Sequence, residues 1–126
     1  MRPKPQFLVF LIILILSACG DFGRTPSKER FEKNCYITIP KDVTVVKDKY
    51  ENMTSDYAII YTLKFTTNGL KDFTKRVRQS DYYNNYWHKS TRGYTFYKKV
   101  GDRDFTEYKI DVDTISQIAS FEENAN

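Results

Sequence analysis

Few residues in this chain are of the types that do chemistry. His88 is the only histidine, and past Cys19 the only thiol is Cys35. Neither sits in a nucleophile motif or beside a visible third group that would orient the pair. A zinc site built on histidines is excluded within the chain, and Cys35 lacks the paired spacing that structural zinc requires. Asp102 with Asp104 and Asp111 with Asp113 place carboxylates two residues apart, which in a strand means one shared face. Such pairs can hold a hard cation or work as acid and base. There is no full calcium loop around them, though, and the first pair falls at an expected turn, where aspartate bonds its own backbone. No phosphate-cradling glycine loop or dinucleotide fingerprint occurs. The expectation is a chain without catalytic residues, metal or cofactor.

What remains is a surface. Tyr82, Tyr83, Tyr86 and Trp87 stand close in sequence to Lys89 and Arg92, and tyrosine, tryptophan and arginine dominate interface hot spots. These six residues are the candidate binding surface. Rings interleaved with Asn84 and Asn85 also suit stacking on sugars, and the basic residues suit anionic headgroups or cell-wall carboxylates. The plain alternative is that half of the rings complete the core of a small domain.

The elements that must position this surface read as follows. Residues 35–39, stopped by Pro40, and residues 43–50, rich in β-branched side chains, read as strands. Tyr57, Ile59, Tyr61, Leu63 and Phe65 alternate at period two, the mark of a strand with one well-covered face. From Thr67 the period changes: Leu70, Phe73 and Val77 recur at helical spacing, with Lys71, Lys75, Arg76 and Arg78 free for the outer face. Thr67 or Asn68 is the expected cap. Residues 81–90 read as a polar aromatic loop. Residues 93–100 and 105–113 form a hairpin around Gly101, paired even with even so that Tyr94, Phe96 and Val100 share a face with Tyr108, Ile110 and Val112. A last short strand is expected over residues 117–122. The fold class is α+β: a small antiparallel sheet with one amphipathic helix packed on one face, preceded by a flexible tether.

The first nineteen residues say where the chain is held. Arg2 and Lys4 precede an uncharged apolar run from Phe7 to Leu16, the order of an export signal. The run is short of the roughly 20 residues a spanning helix needs. It closes in Leu16-Ser17-Ala18-Cys19, which resembles the lipobox of bacterial lipoproteins. The resemblance implies cleavage between Ala18 and Cys19, a diacylglyceryl group on the Cys19 thiol, and acylation of the freed amine. Two or three such chains make a stable anchor where one binds only reversibly. In enteric-type lipoproteins an aspartate directly after the lipidated cysteine favours the inner membrane. Here that position is Gly20, so the resemblance favours the periplasmic leaflet of the outer membrane if the host is Gram-negative.

Three segments follow: a signal peptide over residues 1–18, a lipidated flexible tether over 19–34, and a single domain over 35–126. With Cys19 alkylated, Cys35 has no partner for an internal disulfide, and it reads as a small buried hydrophobe. The formal charge of +4 hides an asymmetry: residues 64–99 carry nine bases against two acids, and residues 100–126 carry two against seven. Nucleic acid is a poor partner for an exported, lipid-anchored chain despite that basic middle. The expected function is a membrane-anchored envelope lipoprotein without enzyme activity that binds another envelope protein as an accessory, inhibitor or immunity-type factor. The alternative is recognition of cell-wall glycan or anionic lipid headgroups.

Overall fold

A computed structural model describes residues 24–126. The expected lipidation site Cys19, the expected cleavage site and the expected export signal lie outside the described residues.

The first element of the described residues is a helix, α1 (Ser27–Cys35), where a flexible tether was expected. Ser27, Phe31 and Cys35 recur every fourth residue and are its buried side chains, so one narrow stripe faces the protein. A helix this short is marginal alone. Docking holds it: the Phe31 ring lies 6.1 Å from Tyr61 and 5.2 Å from Phe121. Tyr36 ends the helix in the left-handed region at φ 55°, a cap more often given to glycine or asparagine.

Residues 36–42 then run without a strand partner among the described residues, which corrects the expected first strand. Ile37 and Ile39 are buried, so the apolar alternation was real, but side chains take the backbone groups a ladder would use. The Ile39 N–H donates to Glu32 Oε2 at 2.9 Å, and the Thr38 carbonyl accepts from Arg76 at 3.0 Å. Pro40 has no N–H to give.

Strands β1 (Val43–Met53) and β2 (Asp56–Phe65) form a long hairpin with a bulge between Val45 and Lys47. Helix α2 (Thr67–Gln79) follows, capped by Thr66, whose side chain accepts from the Gly69 N–H at 3.0 Å. Such a cap contributes about 1 kcal/mol; it falls one residue before the expected caps. Four further strands complete the chain: β3 (Trp87–Lys89), β4 (Gly93–Val100), β5 (Thr106–Asp113) and β6 (Ile118–Ala125). The sheet is antiparallel in the order β1-β2-β6-β5-β4-β3. The α+β class is as read from the sequence. So is the β4–β5 register, with Tyr94 opposite Val112 and Phe96 opposite Ile110. The last strand is longer than expected and central, inserted between β2 and β5.

Both helices lie on one face. Phe121 at the sheet centre touches Phe31 of α1 and Phe73 of α2, and Phe73 also meets Phe65 and Trp87. The opposite face carries no helix among the described residues, the one-sided covering common for antiparallel sheets.

Candidate binding surface

Strand register brings a row rich in polar groups to the helix-covered face: Tyr50, Ile59, Glu123, Tyr108 and Lys98 stand side by side, with Ile59 the one aliphatic member. Glu123 is fully buried. Arg30 of α1 grips it with two bonds, Nε to Oε1 at 3.1 Å and Nη2 to Oε2 at 2.5 Å, and the Tyr57 hydroxyl donates to Oε2 at 2.5 Å. At the other end of the row Lys98 donates to the Asn34 carbonyl at 2.5 Å and to the Tyr36 hydroxyl at 3.2 Å. Its ammonium also sits 4.5 Å from the Tyr36 ring centre and 5.0 Å from that of Tyr108. A buried cation thus meets the negative end of α1 and two aromatic faces.

This cluster is built to hold a helix. The Glu123 carboxylate is taken up by a guanidinium and a phenol. Burial pushes the Cys35 thiol up to about 12, outweighing the opposing pull of Lys98. Burial, then the bond to Glu123, pushes Tyr57 up to about 12, and burial with the charge of Glu123 does the same to Tyr108. Near neutral pH these acids keep their protons, and the thiol is no nucleophile.

A pH dependence follows. A folded-state pKa raised above the unfolded value stabilises the fold below the unfolded value, and that stability is lost as pH climbs toward the folded one. The ordinary values are 9.0 for the thiol and 10.0 for the phenols. The urea midpoint should therefore stay level from pH 7 to about 8 and fall steadily above about 9. Tyr108→Phe, which keeps the ring and removes the titrating hydroxyl, should make that alkaline fall shallower. An unchanged slope would show that Tyr108 does not contribute.

The six residues singled out in the sequence divide. Trp87, expected on the surface, is fully buried: it stands opposite Phe96 in the β3–β4 ladder and meets Phe96 and Phe73 edge-on. Its indole N–H has no hydrogen-bond partner among the described residues. Arg92 is held by Asp113 at 2.8 Å, and exposed Lys89 stands opposite Tyr94 at the end of β3. Tyr83 packs toward Tyr94, whose hydroxyl accepts from Arg78 at 3.0 Å.

Tyr82 and Tyr86 do come together, and the residue that joins them is Tyr36. The Tyr36 and Tyr82 rings stack at 4.3 Å and 17°. Tyr86 lies 5.6 Å from Tyr82 and 6.5 Å from Tyr36, with its other side toward Phe96. Tyr36 is 43% exposed, so the stack ends in an open aromatic ledge. Beside it runs a polar groove of about 310 Å³ walled by Thr38, Arg76, Gln79, Ser80 and Asp81. The loop carrying Tyr82 and Tyr86 is fastened by its own backbone: Trp87 N–H to the Tyr82 carbonyl at 3.0 Å, Asn84 N–H to the Trp87 carbonyl at 2.7 Å, and Tyr97 N–H to the Tyr86 carbonyl at 3.1 Å. The ledge is thus preformed.

Other candidates fall elsewhere. His88 is exposed and faces away from the helices, in register with Thr95. Asp113 caps the β5–β6 turn by accepting from the Ile115 and Ser116 N–H groups at 2.9 and 3.1 Å. The Ser116 bond, then Arg92, draws its carboxyl down to about 2. Among the described residues no three of His, Cys, Asp or Glu gather as a metal site, and no helix is long and apolar enough to cross a membrane. No protein-family model, curated protein or solved structure matches the chain.

Arg30, Tyr36, Lys98 and Glu123 were missed as site residues. Period two in β4 and β6 places Lys98 with Phe96 and Glu123 with Phe121 on the apolar face, a signal present in the sequence. The left-handed turn at Tyr36 left none.

Proposed function

We propose that this chain is a non-catalytic, lipid-anchored envelope protein that binds another envelope protein through the ledge of Tyr36, Tyr82 and Tyr86, as an accessory, inhibitor or immunity-type factor. The preformed ledge carries this reading. It sets an exposed aromatic stack beside a hydrogen-bonding groove, and such rings anchor interfaces at low ordering cost when they are already fixed. The anchor belongs to the same reading. Eight links from Cys19 to Ser27 span at most about 28 Å, and α1 adds about 13 Å, so the ledge stays within about 40 Å of a lipidated Cys19.

A photo-crosslinking residue in place of Gln79, on the groove wall, tests the reading in intact cells. A discrete protein adduct is expected. Tyr82→Ala should weaken binding roughly 30-fold, as loss of a residue worth about 2 kcal/mol would, and the adduct should all but vanish. In the same cells Cys19→Ala should leave uncut precursor that takes up no labelled palmitate. An adduct indifferent to Tyr82→Ala, or adducts to lipid or glycan alone, would overturn the protein-binding reading.

A further inference from the structure

The sheet face away from the helices carries a second constellation, independent of the ledge. Register aligns two rows across three strands there: Ser120, Asp111 and Thr95 in one, and Glu122, Lys109 and Tyr97 in the next. The six side chains line one depression of about 540 Å³. Phe96 and Ile110 border it as well, but their side chains are buried on the other face, so its floor is strand backbone. Tyr97 is 48% exposed and donates its hydroxyl to Glu107 Oε1 at 3.2 Å. Lys109 reaches the same carboxylate at 3.4 Å. An open ring tied at its tip therefore stands over a patch where acceptors and donors alternate.

We infer that this depression binds a neutral carbohydrate, with one sugar ring stacked on Tyr97 and its hydroxyls bonded to Asp111, Ser120, Glu122 and Lys109. The charge pattern selects the class. In the lining Asp111 and Glu122 outnumber Lys109, and nearby Glu107 is balanced by Lys99 directly opposite it, so the patch keeps a net negative charge that disfavours phosphates and carboxylates. Lys109 stands directly opposite both Glu122 and Tyr97, so a basic peptide would meet an ammonium already in place and lose much of its gain. A sugar hydroxyl both donates and accepts, so it uses carboxylate and ammonium alike. Tyr97 is the open aromatic face in the lining, and it suits the apolar face of a pyranose. The depression falls within the 300–1,000 Å³ usual for ligand sites.

Calorimetry on the detergent-solubilised full chain tests this, with the β-1,4-linked N-acetylglucosamine trisaccharide and maltotriose as probes and tri-lysine as the competing class. Saturable binding of at least one sugar is expected, weakened about tenfold by Tyr97→Ala and severalfold by Asp111→Asn or Glu122→Gln. Tyr36→Ala should leave it unchanged, which separates this site from the ledge. Circular dichroism confirms that each variant is folded, and the two carboxylate variants decide the matter if Tyr97→Ala is not. Four results would overturn the inference: no heat with either sugar, binding indifferent to all three depression variants, binding of tri-lysine without sugar, or a doubled mass abolished by Tyr97→Ala, which would mean that a second copy covers the face.

Discussion

Glu123→Ala is expected to destabilise the domain by about 3–5 kcal/mol, the cost of breaking a buried ion pair from one side. The substitution leaves the Arg30 guanidinium, with three-quarters of its side chain covered, facing a cavity without a counter-charge, and it removes the acceptor of the Tyr57 hydroxyl. Domains of this size are stable by about 5–15 kcal/mol, so a fifth or more of the total is at stake. Urea unfolding reads the loss as a lower midpoint. Two further variants separate the contributions. Glu123→Gln keeps the shape and an acceptor for Tyr57 but drops the charge, and should fall between wild type and Glu123→Ala. Arg30→Met with Glu123→Leu removes both charges, and should recover most of the stability, because the attraction within a buried pair largely offsets its own desolvation. A loss below about 1 kcal/mol for Glu123→Ala would mean that water reaches the pair and that α1 is not clamped as described.

The reach of local pattern explains which parts of this fold were legible in the sequence. β2 and the β4–β5 hairpin were, because period two over eight or more residues is a strong signal. α2 was, because Leu70, Phe73 and Val77 repeat at helical spacing next to a capping threonine. α1 was not. Its apolar content is one phenylalanine and one cysteine among charges, and the partner that fixes it, Glu123, is 93 residues away. Residues 35–39 alternate like a strand, but Glu32 and Arg76 satisfy their backbone, and no single-strand pattern reveals that. Trp87 looked like a surface residue because its sequence neighbours are polar. β3 is only three residues long, and its pairing with Phe96 decides where the indole goes. The candidate surface was half legible for the same reason. Tyr82 and Tyr86 were visible as aromatics, whereas the ring that completes their stack hangs from the left-handed end of a helix that local pattern hides. The depression around Tyr97 was readable only as the solvent face of a hairpin, because β6, which supplies Ser120 and Glu122, enters from the far end of the chain.

Phe31→Ala should cost about 3–5 kcal/mol, the range for deleting a fully buried ring. Had residues 27–34 been part of a flexible tether, the same change would stay within about 0.5 kcal/mol, so the urea midpoint separates the two pictures cleanly. Lys28→Ala, on the same helix without that buried ring, is the neutral comparison. The consequence reaches the proposed binding surface through chain connectivity. Tyr36 follows α1 directly, and Lys98 bonds both the last turn of the helix and the Tyr36 hydroxyl. Loosening α1 should therefore free Tyr36 from Tyr82 and lower the crosslink yield at Gln79 even where the rest of the sheet survives. The Tyr97 depression lies on the other face, on strands β4, β5 and β6, and should keep any binding of the inferred sugar under conditions where Phe31→Ala remains folded. If both sites failed together in a folded Phe31→Ala protein, the helix would be holding the whole sheet, not presenting one side of it.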